Sequence, residues 1–158
     1  MRTESEISYP TVKILLVEDN QAHADLAIEA LKAAKVRVLL SVVETGEEAL
    51  EYLHKENDFS NATKPDLILL DLNLPGIDGR EVLEVIKTDP SLKCIPVIIL
   101  TTSDAEKDML RTYNAHANCY IKKPVDFDQF QQAIHKMTDF WFTLVKIPQT
   151  KCDALSDV

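Results

Sequence analysis

The stretch from Asp66 to Gly79, Asp-Leu-Ile-Leu-Leu-Asp-Leu-Asn-Leu-Pro-Gly-Ile-Asp-Gly, constrains this chain more than any other. Its aliphatic run, Leu67 to Leu70, lacks the apolar–polar alternation of a half-exposed strand and therefore reads as a strand buried on both faces. Strands of that kind belong to parallel sheets covered by helices on each side. The run stops at Asp71, and Pro75-Gly76 and Asp78-Gly79 supply turn chemistry before a helix beginning near Arg80. A carboxylate thus stands at the C-terminal edge of a buried strand, where open α/β sheets bind their ligands. Taken singly, an aspartate at a strand end more often caps a turn or a helix. The rest of the chain decides between the two.

Around this centre, apolar runs and helical stripes alternate. Residues 12–17 form a first strand, followed by Glu18-Asp19-Asn20 and a helix from His23 to Ala34 with Ala24, Ala27, Ile28 and Leu31 on one face. Val36 to Val43 is a second strand, and Glu44-Thr45-Gly46 leads into a helix carrying Ala49, Leu50 and Leu53. His54 to Pro65 reads as a long, polar, exposed excursion. After the third strand, its helix presents Val82, Leu83, Val85 and Ile86 and ends at Asp89-Pro90. Val97 to Leu100 is the fourth strand, closing on Thr101-Thr102-Ser103-Asp104, and its helix spans about Ala105 to Asn114. A short fifth strand, Cys119 to Ile121, ends in Lys122-Lys123-Pro124, and a last helix runs from about Asp126 to Val145. The alternation specifies an α/β fold, a doubly wound five-stranded parallel sheet of the flavodoxin-like (βα)5 type with strand order 2-1-3-4-5. The expected organisation is an extension at 1–10, one domain at 11–146 and a tail at 147–158.

In that strand order Glu18-Asp19 and Asp71 end neighbouring strands at the switch point, with Thr101 and Lys123 on the two strands beyond. Three crowded carboxylates repel one another, and a hard divalent cation with oxygen ligands, Mg2+, relieves them most simply. Bound Mg2+ leaves room for a phosphoryl group, with Lys123 and the Thr101 hydroxyl to meet its oxygens and Asp71 as a carboxylate nucleophile. Other functions are disfavoured by composition. A net charge of −9 without a basic run speaks against direct nucleic-acid binding. Cys94, Cys119 and Cys152 form no C-x-x-C pair, and His23, His54, His116 and His135 lack the spacing of metal ligands. The sequence shows neither a membrane span nor a leader pattern at Met1 to Pro10, so a cytoplasmic protein is expected.

Together, Glu18-Asp19, Asp71 in its Asp71-to-Gly79 setting, Thr101 and Lys123-Pro124 resemble the receiver domain of two-component response regulators over about residues 11 to 145. The resemblance implies that Asp71 accepts phosphate from a phosphohistidine of a sensor histidine kinase. It implies that Asp19 and Asp71 bind Mg2+ directly, Glu18 through water, and the Asn73 backbone carbonyl completes the protein ligands. Thr101 and Tyr120 would be the switch residues, Lys123 would pair with the phosphoryl group, and the Lys123–Pro124 peptide is expected cis. Glu18 stands where many receivers carry Asp. The protein would act on its own aspartate rather than as an enzyme with an external substrate.

With about a dozen residues after the last helix, a single-domain regulator is expected. The His54 to Pro65 loop, the run Tyr113 to Pro124 and Phe140-Trp141-Phe142 resemble the response regulators partnered with cyanobacterial phytochromes, which implies a light-sensing kinase as donor. A chemotaxis-type receiver that binds a motor protein shares the pocket and stays open as an alternative. An aspartyl-nucleophile phosphatase needs a second Asp two residues on, where this chain has Asn73, and a flavin carrier needs backbone donors where it has acids. The downstream protein is not specified. On the last helix Phe130, Ile134, Met137, Trp141 and Leu144 share one stripe, from which Phe142 lies roughly 120° away. An apolar patch outside the packing stripe predicts a homodimer through the fifth-helix face.

Overall fold

The structure, a computed structural model, describes residues 11–34, 36–103 and 105–141. Its strands are β1 (Thr11–Val17), β2 (Arg37–Val43), β3 (Leu67–Leu70), β4 (Val97–Thr101) and β5 (Cys119–Lys122). They alternate with α1 (Gln21–Lys32), α2 (Gly46–His54), α3 (Gly79–Thr88), α4 (Glu106–Asn114) and α5 (Phe127–Asp139). All pairings are parallel and the sheet runs β2-β1-β3-β4-β5, the flavodoxin-like order expected from the sequence.

The period of two along each central strand sends alternate residues into two cores. Leu15, Val17, Ile68, Leu70, Val97 and Ile99 pack with Ala49, Leu53, Val82, Leu83 and Ile86 of α2 and α3. Ile14, Leu16, Leu67, Leu69, Ile98 and Leu100 pack with Ala27, Leu31, Phe130, Ile134 and Met137 of α1 and α5. This is why Leu67 to Leu70 shows no alternation: both faces are covered, and all four residues are fully buried. Helix starts follow side-chain caps, with Asn20, Thr45, Asp78 and Asp126 each accepting from a backbone N–H in the first turn.

The excursion after α2 is mostly exposed, as expected, and contains a 3-10 turn, Asn57–Phe59, that anchors it. Phe59 packs edge-on against Tyr52 with ring centroids 5.5 Å apart, and the Tyr52 hydroxyl donates to Ser41 Oγ at 3.0 Å. On α5, Phe130, Ile134 and Met137 are buried as the stripe requires and Trp141 packs against the same cluster. Phe142 and Leu144, the helix beyond Trp141, and the segments 1–10 and 147–158 lie outside the described residues.

Candidate functional site

β1 and β3 end level because Val17 pairs with Leu70, so Glu18 and Asp71 leave the sheet side by side. The Glu18 N–H donates to Val43 O at 3.0 Å and the Asp71 N–H to Val17 O at 3.1 Å, which extends the ladder one residue past each strand. The chain then turns back over Asp71. At Gly79 a Cβ would lie 2.2 Å from the Asp71 carbonyl oxygen, so the start of α3 closes on this backbone only with glycine there. Gly76, at φ +71°, supplies the left-handed turn that starts the return.

Glu18, Asp19 and Asp71 each bring one carboxylate oxygen within 4.8 Å of the others. Glu18 and Asp71 are buried, and Asp19 is exposed at the mouth. The Asn73 N–H donates to Asp71 Oδ1 at 3.2 Å, which folds the Asn73 backbone over the same cluster. On the far side Lys123 is buried and its ammonium donates to Glu18 Oε2, to Asp71 Oδ2 at 3.0 Å and to His23 Nδ1 at 3.1 Å. Lys123 is held there because its N–H donates to Thr101 O at 2.6 Å, continuing the pairing of Thr101 with Lys122.

The peptide bonds of the described residues are trans, including Lys123–Pro124, which corrects the cis bond that the resemblance implied. The trans isomer is intrinsically favoured by about 0.5–1 kcal/mol before proline. The Thr101 contact delivers the ammonium to the pocket in this form.

Charge dominates the site. One ammonium faces three carboxylates, so the cluster is net negative when all are ionised. Burial pushes the Glu18 carboxyl up to about 7, against the lowering effect of its bond to Lys123. Burial, then the neighbouring ammonium, hold His23 below the ordinary histidine value. A set of hard oxygen donors with excess negative charge suits Mg2+ or a similar divalent cation, and a soft metal poorly.

Thr101 and Tyr120, the positions that the resemblance implied as switch residues, lie on the two strands beyond Asp71. Thr101 is buried and its Oγ1 accepts the Ser103 N–H at 3.3 Å. The Tyr120 hydroxyl donates to Ser103 O at 2.6 Å. Arg80, in the first turn of α3, grips Asp108 in the first turn of α4 through two bonds of 2.8 and 2.6 Å, and the Ser103 hydroxyl donates to Asp108 Oδ2 at 2.7 Å. Every residue expected at the site is therefore found at the C-terminal edge of the sheet. The sequence did not point to His23, although it follows Asp19 by four residues, about one helical turn. Nor did it point to Ser103 or to the Arg80–Asp108 pair, whose partners carry no joint spacing.

A family model described as the response regulator receiver domain matches residues 14–135. The response regulator Rcp1 of Synechocystis sp. is 41% identical over 144 residues, 91% of this chain and 98% of that protein. Among solved structures, the phosphorylated cyanobacterial phytochrome response regulator RcpA is 46% identical with a TM-score of 0.86, covering 89% of this chain and 100% of its own. The Mn2+-bound form of Rcp1 superposes with a TM-score of 0.84 at 41% identity, over 87% of this chain and 99% of the other.

Proposed function

This chain belongs to the response regulator receiver domain family, and we propose that within it Asp71 is the phosphoacceptor for a sensor histidine kinase of the phytochrome type. The observation that carries the reading is the meeting of three carboxylates within 4.8 Å around a buried lysine. That arrangement is costly in a folded chain unless the charges are used.

Asp19, Asp71 and the Asn73 carbonyl would hold Mg2+, with Glu18 reaching it through water. The cation supplies charge neutralisation for the phosphoryl oxygens and their alignment with the nucleophile. A carboxylate oxygen of Asp71 attacks phosphorus; the O–P bond forms as the P–N bond of the donor phosphohistidine breaks, and the imidazole leaves with that electron pair. Lys123 exchanges its bond to Asp71 Oδ2 for a phosphoryl oxygen, and the Thr101 hydroxyl turns to meet another. Movement of Thr101 takes the Ser103 segment with it, which disturbs the Tyr120–Ser103 bond and gives Tyr120 its part in the switch. The protein works on its own aspartate, in the cytoplasm, and no helix among the described residues is long and apolar enough to cross a membrane.

The phytochrome-type donor is supported by the likeness to RcpA over nearly the whole of that chain. For the homodimer through the fifth-helix face, the supporting feature is Phe140, the C-cap of α5, which is 52% exposed. Incubation with Mg2+ and acetyl phosphate tests the chemistry: the intact mass rises by one phosphoryl group in the wild type and stays unchanged in Asp71→Asn. A wild type that gains no phosphoryl group, or an Asp71→Asn chain that does, removes the assignment.

A further inference from the structure

We infer that His23 is a positioning residue for phosphoryl transfer, holding the Lys123 ammonium in place through a neutral acceptor while one of its carboxylate partners is phosphorylated and the other turns to the cation's water. The inference rests on the reading of Asp71 as phosphoacceptor and adds a residue to that site.

The imidazole is built into its place from three sides. Its backbone N–H is fixed by the side chain of the cap Asn20 at 3.1 Å, in the first turn of α1. Its ring stacks on Phe130 of α5, with centroids 6.0 Å apart and planes inclined by 21°. Phe130 is itself buried in the α1–α5 core, so the platform is rigid. The ring so held presents Nδ1 to Lys123 Nζ at 3.1 Å. An ammonium can only donate, so Nδ1 accepts and the ring proton sits on Nε2.

Lys123 has three N–H bonds to give and three partners among the described residues: Glu18, Asp71 and His23. Two of these change state in the proposed reaction. Asp71 loses a free carboxylate oxygen when it is phosphorylated, and Glu18 turns to the water around the cation. His23 does neither. It satisfies one N–H throughout, and because it is neutral it leaves the charge of the ammonium available to the incoming phosphoryl oxygens, as a third carboxylate would not.

The competing reading is that the ring only covers the edge of the core against Phe130. Two substitutions separate the readings, because Phe keeps a stacking ring without an acceptor and Asn keeps an acceptor oxygen near the place of Nδ1 without the ring. The full chain is phosphorylated with acetyl phosphate over a range of Mg2+ concentrations, and the maximal rate is followed by intact mass. His23→Phe and His23→Ala are expected to slow it about tenfold, the order for losing one hydrogen bond to a charged group, with Mg2+ affinity by calorimetry unchanged. His23→Asn should return it to within about twofold of wild type. A His23→Phe protein as fast as wild type, or a His23→Asn protein as slow as His23→Ala, overturns the inference. Long-range 1H–15N correlation spectra of the wild type give an answer independent of any variant: Nε2–H with bare Nδ1 is expected, and Nδ1–H refutes it. A wild type that takes no phosphoryl group at all fails the parent assignment, which the histidine variants alone do not touch.

Discussion

The two sides of the sheet are held together differently. Around β3, Leu67 to Leu70 are fully buried and α3 sinks Val82, Leu83 and Ile86 into the core of Ile68 and Leu70. At the β5 edge, α4 buries only Thr112 of its nine residues, and β5 is half-buried at Cys119, Tyr120 and Ile121. What ties α4 down is polar: Arg80 and the Ser103 hydroxyl on Asp108, and Arg111 on Glu84 at 3.0 Å. Apolar packing is lost when its surfaces separate, whereas a hydrogen bond can be traded for another partner at small net cost. The side that carries Asp71 is held by apolar packing, and α4, beside Ser103 and Tyr120, is fastened by contacts that can be exchanged. The phosphoryl group proposed for Asp71 would then have an element to move and a frame to move it against.

The largest effect that tests this contrast is in the fixed side. Leu83→Ala, which opens a cavity under β3, should lower unfolding stability by roughly 2–5 kcal/mol in urea titration with little change in slope. A cost below about 1 kcal/mol would mean that this side is no better packed than the other.

Next comes the clamp between them. Arg80→Ala should cost roughly 1–3 kcal/mol, since two bonds to Asp108 are lost together with the Nη1 bonds to the cap Asp78, and Asp108 keeps the Ser103 hydroxyl. The cost carries a pH signature. The Arg80 guanidinium, then the Ser103 hydroxyl, pull the Asp108 carboxyl from 3.8 down to about 2, while the unfolded chain retains the ordinary value. A depressed carboxylate contributes fully above 3.8 and loses its contribution as pH falls toward 2. The stability difference between wild type and Arg80→Ala should therefore be flat at neutral pH and shrink below about 4. Amide exchange in α4 should quicken in the variant while β3 stays protected. If both segments change together, the two sides are one cooperative unit.

The same contrast explains what could be read from the chain alone. Leu67 to Leu70, Ile14 to Val17 and Val97 to Leu100 announce themselves because burial on both faces demands uninterrupted apolar runs. Glu18, Asp19, Asp71, Thr101 and Lys123 are legible because each ends a strand, so topology alone collects them. Arg80 and Asp108 are separated by 28 residues in sequence and meet only through the packing of α3 beside α4, a relation that no periodicity encodes. His23 was hidden for a related reason: one histidine in the first turn of a helix has no pattern, and its role depends on where Phe130 and Lys123 arrive from the far end of the chain. The trans Lys123–Pro124 bond is likewise set by local geometry that the dipeptide leaves open.

The smallest effect is the most diagnostic for α4. Met109, Leu110 and Tyr113 are 38%, 57% and 47% exposed, so this helix leaves its large apolar side chains well exposed to water while Thr112 is buried. Removing Leu110 deletes little buried surface, and alanine is the better helix former, so the two changes nearly cancel. Leu110→Ala should shift unfolding stability by no more than about 0.5 kcal/mol in the same urea titration that reads Leu83→Ala. A loss above about 1.5 kcal/mol would require Leu110 to be covered in solution, and its dependence on protein concentration would then show whether a second chain is the cover. With the small value found, α4 stands as an element whose position is set by Arg80 and Ser103 rather than by its own packing, as the exchange of contacts proposed around Thr101 requires.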